Sequence, residues 1–231
     1  MNNQLKKLAI ALGLLILVSA NQLYAQTVKW DSTYRPGKYA EQVAKFRSDL
    51  PYSKKDFVFL GNSITAGTDW SKLLNLPQAK NRGISGDITY GVLERLQEVI
   101  DRKPAKVFIL IGINDISRNI PDSIILANYK KMIERIRRGS KKTEIYFNTL
   151  LPVNSSFGKF KNHYGKDEHI LYINSEIRKL KAKKVKVVDL YPVFLDKENH
   201  LRAELTKDGL HLIPEGYKVW ADFLNTTGYL K

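Results

Sequence analysis

The chain has 231 residues, no cysteine and a formal net charge of +15. The missing cysteines exclude disulfides, thiolate metal sites and a cysteine nucleophile. The basic excess raises nucleic-acid binding, but its clusters argue against that partner: Arg135, Arg137, Arg138, Lys141 and Lys142 end a helical pattern, and Lys179, Lys181, Lys183 and Lys184 have no aromatics among them. Both read as solvated helix ends, where cations also suit the helix dipole.

In chain order, Lys6 and Lys7 precede an apolar run from Leu8 to Val18, and Leu23-Tyr24-Ala25 offers a small-residue cleavage site. This pattern predicts a signal peptide over 1–25, removed after Ala25, and a secreted or periplasmic protein. The run is shorter than the roughly 20 residues that span a bilayer, so no stable membrane anchor is expected. Removal of two lysines and no acids would leave 15 − 2 = +13. Residues 26–231 fit one domain.

Phe57–Leu60 is a short apolar run that stops at Gly61, as a buried parallel strand would. Val107–Ile111, Ile145–Phe147 and Val185–Val188 follow the same style, and Ala79–Asn81 is a weaker fifth strand. Between them Val92, Leu93, Leu96, Val99 and Ile100 share one helical face, as do Ile125, Tyr129, Met132, Ile133 and Ile136. The alternation predicts an α/β fold of three α/β/α layers, flavodoxin-like, with a mostly parallel five-stranded sheet. Functional residues should then gather just past the strands' carboxyl ends, after Leu60, Asn81, Ile111, Asn148 and Val188.

The first such loop, Gly61-Asn62-Ser63-Ile64-Thr65, puts Ser63 at a helix start, where it is either an N-cap or a hydroxyl facing the crevice. The second, Asn81-Arg82-Gly83-Ile84-Ser85-Gly86-Asp87, has glycines that let the backbone turn an N–H toward a ligand. In the third, Gly112-Ile113-Asn114-Asp115, an uncharged amide could donate to an oxyanion. Near the end, Asp208 and His211 are close enough for the carboxylate to hold one ring nitrogen and turn the other outward, or the pair could cap the helix that Pro214 begins.

Together Gly61-Asn62-Ser63-Ile64, Gly86, Gly112-x-Asn114 and Asp208-x-x-His211 resemble, in order and spacing, the blocks of the SGNH or GDSL-type hydrolases, over about Asp56 to Leu224. The likeness is nearest to the branch of platelet-activating-factor acetylhydrolase subunits and carbohydrate or sialate O-acetylesterases, on Asn81-Arg82-Gly83-Ile84-Ser85-Gly86-Asp87 and Leu150-Leu151-Pro152-Val153-Asn154. The resemblance implies Ser63 as nucleophile, Gly86 and Asn114 as oxyanion donors, and Asp208 and His211 as acid and base. It implies no cofactor, and a substrate that is a small acyl ester or an acetylated glycan. A lysophospholipase or thioesterase on the same scaffold, or a non-catalytic glycan-binding module, is the alternative. Asn62 departs from the family's usual Gly-Asp-Ser.

A lipase of the Gly-x-Ser-x-Gly kind is disfavoured because Thr65 stands at the second glycine. The histidines show no helical metal-ligand spacing, and His163 and His169 read as surface or rim residues. Residues 152–166 read as an irregular loop over the crevice, with Phe157, Phe160 and Tyr164 either stacking on sugars or anchoring the loop.

Overall fold

The computed structural model describes residues 30–231, so the expected signal peptide over 1–25 and its expected cleavage after Ala25 lie outside the described residues. Asp31–Lys231 forms one compact unit. Its five strands, β1 (Phe57–Gly61), β2 (Ala79–Gly83), β3 (Lys106–Leu110), β4 (Glu144–Asn148) and β5 (Val185–Val188), make one sheet in the order β2-β1-β3-β4-β5. Every pairing is parallel, so the expected mostly parallel sheet is parallel throughout. The weak second strand runs two residues further than the alternation indicated, through Arg82 to Gly83, because the backbone of Gly61 continues the pairing with Gly83.

The register stacks an aromatic ladder on one face. Phe59 pairs with Phe108 and Phe108 with Tyr146, and the rings follow, with centroids 4.7 and 4.6 Å apart. Trp70, from the short helix α3 (Trp70–Leu74), stacks on Phe59 at 4.0 Å, and Trp220, from α8 (Pro214–Thr226), meets Trp70 edge-on at 4.9 Å. Contacts of this kind add to the apolar area that such large rings bury. On the other face Phe147 meets Tyr129 of α6 (Asp122–Gly139), which packs beside α4 (Thr89–Arg102). These are the three layers.

Two of the longer helices had not been foreseen. The first, α1 (Tyr39–Ser48), has few large apolar residues in its sequence, and it buries Tyr39, Val43 and Phe46 against Ile84. The other is α7 (Asp167–Arg178), whose Ile170, Ile173 and Ile177 form a buried stripe at helical spacing. Asn174 on that stripe accepts from the Leu150 N–H at 2.7 Å and donates to its carbonyl at 2.9 Å, so one amide completes the backbone of the loop after β4. No helix among the described residues is long and apolar enough to cross a membrane.

Buried charge holds the α4 side together. Arg95 of α4 donates from Nε to Asp87 Oδ2 and from Nη2 to the Gly61 carbonyl, both at 2.9 Å, with side-chain exposures of 1% for Arg95 and 0% for Asp87. Glu98 takes Arg82 at 3.1 Å and Arg102 at 2.8 Å, and Arg102 reaches Asp56 at 3.2 Å. Removing one partner of such a pair strands the other in a low dielectric. Arg95→Met is therefore expected to destabilise the protein by about 3–5 kcal/mol in urea unfolding; a loss under about 1 kcal/mol would show that the pair is not structurally important.

Candidate active site

The loop after β1 resolves the two roles open to Ser63 in the sequence. The N-cap of α2 (Ser63–Ala66) is Asn62, whose Oδ1 accepts the Ile64 N–H at 3.0 Å. Ser63 is the first helical residue, so its hydroxyl is not used as the cap. A four-residue helix cannot sustain itself, and its carbonyls are taken from outside. The Thr65 carbonyl accepts from Trp70 Nε1 at 2.9 Å and Asn81 Nδ2 at 3.0 Å, Asn81 also reaches the Thr68 carbonyl at 2.8 Å, and Tyr217 donates to the Ile64 carbonyl at 2.9 Å. Gly83 of β2 lies so close beneath that a Cβ there would collide with the Ala66 backbone nitrogen and sit 2.7 Å from the Asn62 carbonyl.

Facing α2 is the segment between the 3₁₀ turn Ala203–Leu205 and α8. Thr206 Oγ1 accepts from the Gly209 N–H at 2.9 Å and donates to the His211 carbonyl at 2.7 Å, which folds the segment back on itself. Asp208, 5% exposed, receives the backbone N–H of His211 at 2.7 Å and of Leu210 at 3.1 Å on Oδ1. Its Oδ2 lies 2.9 Å from His211 Nδ1, and His211 Nε2 lies 3.0 Å from Ser63 Oγ. Burial pushes the Asp208 carboxyl upward, but the hydrogen bonds from the backbone and ring of His211 and from Leu210 outweigh it and hold the group below the ordinary aspartate value. The helix-capping alternative for this pair is not what forms: α8 has no side-chain cap.

The opposite wall comes from the second and third loops. Gly86 takes a left-handed backbone, φ +82°, which a glycine adopts without strain, and its N–H meets no backbone carbonyl among the described residues. Asn114 lies in α5 (Ile113–Ser117) and is 8% exposed; its Nδ2 donates to the Asp87 carbonyl at 2.9 Å and its Oδ1 lies 3.1 Å from His163 Nε2. The neighbouring Asp115 turns the other way and accepts the Thr89 N–H at 3.0 Å, so it caps α4, which has no side-chain cap of its own. Full burial pushes the Asp115 carboxyl up to about 7.

Ser63, Gly86, Asn114 and His211 line one crevice of about 360 Å³, with Ser85, Phe160 and His163 among its other walls. Asp208 lies behind His211. All five residues singled out in the sequence are thus brought together. His163 was missed: it is half-buried inside the crevice, in contact with Asn114, and more than a rim residue. His169 lies elsewhere, 2.9 Å from Asp122. Among the crevice loop's aromatics, Tyr164 donates to the Asp208 carbonyl at 2.8 Å and Phe160 meets the His211 ring edge-on at 5.0 Å, so both brace the site itself. No group of three or more His, Asp or Glu side chains among the described residues is placed to hold a metal ion.

A hydroxyl, an imidazole and a buried carboxylate in hydrogen-bonded series stand opposite an amide and a backbone N–H with no carbonyl partner among the described residues, on a parallel α/β sheet; these are the groups that acyl transfer from a serine requires. The chain matches the GDSL-like lipase/acylhydrolase family over residues 59–219 and belongs to it; it is a carboxylic ester hydrolase. It is similar to an arylesterase of Vibrio mimicus, 28% identical over 189 residues that cover 74% of this chain and 87% of the relative. Among solved structures it is similar to a candidate platelet activating factor from Streptococcus pneumonia (28% identity, TM-score 0.75, covering 84% of this chain and 93% of that one). It is also similar to a GDSL-like lipase of Bacteroides thetaiotaomicron (27% identity, TM-score 0.70, 82% and 96%).

The outside support of α2 is directly testable. Asn81→Ala removes donors from the Thr65 and Thr68 carbonyls and an acceptor from the Gly83 N–H at 2.8 Å. We expect a loss of about 1–3 kcal/mol in thermal or urea unfolding, the range for stranding such groups, with faster amide exchange in residues 64–68. Unaltered exchange there would show that Asn81 does not hold the helix.

Proposed function

We propose that the enzyme removes short acyl groups, acetyl above all, from hydroxyl-rich alcohols such as glycans, by two-step acyl transfer through Ser63. The observation that carries this reading is the unbroken series Ser63 Oγ, His211 Nε2, His211 Nδ1 and Asp208 Oδ2 at 3.0 and 2.9 Å. His211 Nε2 takes the hydroxyl proton as Ser63 Oγ attacks the ester carbonyl, while Asp208 holds the ring through Nδ1–H and balances the imidazolium that forms. The oxyanion is received by the second Nδ2–H of Asn114 and by the N–H groups of Gly86 and Ser63. The imidazolium then protonates the leaving alcohol, and water, activated by the same ring, releases the acid from Ser63.

The crevice supports a small acyl group. Ser85, Ser117, Asn162 and His163 contribute to its walls and its volume is about 360 Å³, which suits a compact, polar substrate better than an aliphatic chain. The likeness to an arylesterase agrees with action on carboxylic esters. Export is part of the same proposal, since an enzyme acting on surface or extracellular glycans must leave the cytoplasm; a mature N-terminus at Gln26 in intact mass measurements would support it, and retention of Met1 would refute it.

Activity measurements test the reading. Ser63→Ala should abolish both hydrolysis of p-nitrophenyl acetate and labelling by a fluorophosphonate, and wild-type hydrolysis in that variant would refute the assignment. Asn114→Ala should lower turnover by about 10²-fold, the effect of losing one oxyanion donor. A higher kcat/KM for p-nitrophenyl acetate than for the dodecanoate is expected; the reverse order would make the enzyme a long-chain acylhydrolase. Acetate release from acetylated xylan, sialic acids or peptidoglycan fragments identifies the alcohol.

A further inference from the structure

The orientation of the Asn114 amide is fixed by its neighbours. The Asp87 carbonyl can only accept, so the Asn114 atom 2.9 Å from it is the NH₂ group. The amide oxygen therefore faces His163 Nε2 at 3.1 Å, and since that oxygen can only accept, Nε2 must carry the hydrogen. The other ring nitrogen, Nδ1, is then a bare lone pair; it is buried and has no partner among the described residues. The ring is kept neutral: burial first, then the positive fields of His211, Lys166 and Arg118, lower its pKa to about 4.

We propose that His163 is a positioning residue of the oxyanion hole: its neutral Nε2–H fixes the Asn114 amide so that the second Nδ2–H points at the oxygen of the reacting ester. The proposal rests on the reading of Asn114 as an oxyanion donor. With both Asn114 Oδ1 and one Nδ2–H engaged, the side chain has one orientation left, and the remaining donor needs no reorganisation when charge develops. His163 belongs to the 3₁₀ turn Lys161–His163, in a segment tied to both halves of the site. The Asn154 N–H donates to the Gly209 carbonyl at 2.8 Å, Tyr164 to the Asp208 carbonyl at 2.8 Å, and Lys166 Nζ to the Ile116 carbonyl at 2.8 Å. The loop that borders the substrate thus also sets the geometry of the oxyanion donor.

The test is a double-mutant cycle on p-nitrophenyl acetate hydrolysis with His163→Ala, His163→Gln, Asn114→Ala and the double variant H163A/N114A. His163→Ala should lower kcat about tenfold, less than loss of the donor itself, with KM changed less than about twofold. His163→Gln, which keeps an N–H donor, should recover most of the loss. In the Asn114→Ala background the same change should alter kcat by less than about twofold, because its target is gone. Equal losses in both backgrounds, a change in KM alone, or a glutamine no better than alanine would overturn the proposal. Should His163→Ala not fold, the glutamine variant and ¹⁵N shifts of the wild-type ring decide it: Nε2 protonated and Nδ1 bare is expected at neutral pH, and the reverse tautomer overturns it. If Asn114→Ala itself keeps wild-type turnover, it is the reading of Asn114 that has failed, and the two failures are distinguishable.

Discussion

The buried pair of Arg95 and Asp87 is the interaction on which the site depends, because it joins three loops distant in sequence. Arg95 holds the Gly61 carbonyl at the end of β1 and the carboxylate of Asp87, and the carbonyl of that same Asp87 holds Asn114. Nucleophile loop, glycine loop and asparagine loop are therefore referenced to one guanidinium. Taking both ions out of water is costly, and such a pair is not in itself a source of stability when compared with apolar packing of the same volume. What it supplies is position. An arginine fork has directions that an aliphatic side chain lacks, and the site needs Asn114 and Ser63 set within fractions of an ångström across a crevice.

β1 and β3 were legible because they are buried on both faces: Phe57–Leu60 and Val107–Leu110 have no polar alternation to confuse the reading. Helix α1 was not, because Tyr39, Val43 and Phe46 are its only buried residues and the segment around them is rich in Lys, Glu and Gln. For α7 the signal was present in Ile170, Ile173 and Ile177 but lay beside a loop whose Ser, Gly and Asn content dominated the local pattern. The ionic network was beyond single-residue reading. Arg82, Arg95 and Arg102 look like surface charges in sequence, and only the fold shows that Asp49, Asp56, Asp87 and Glu98 converge on them.

The convergence of the five candidate residues was legible for a different reason. Each stands at the carboxyl end of a strand or in a loop that the sheet order 2-1-3-4-5 brings to one edge, so the parallel topology assembles what the sequence separates by up to 148 positions. His163 escaped because its partner is not local. A histidine in an irregular loop carries no sequence sign of which side chain it will meet, and its importance follows from the amide that the Asp87 carbonyl has already oriented.

The substitution of Asn62 for the family's usual aspartate can now be weighed physically. An aspartate oxygen would accept the Ile64 N–H as Asn62 Oδ1 does, so the cap does not distinguish the two. The difference is charge: a carboxylate at a position only 1% exposed would sit beside Ser63, the proposed nucleophile, and would oppose negative charge developing there. Asparagine keeps the cap and omits that charge, leaving Asp208 as the carboxylate hydrogen-bonded to the His211 ring. The substitution has its own penalty, since Asn62 Nδ2 is buried and finds no acceptor among the described residues, a condition worth about 1–3 kcal/mol. Stability is thus given up next to Ser63, where α2 is held from outside by Trp70, Asn81 and Tyr217. The supports that let a four-residue helix exist are also what let its cap be imperfect.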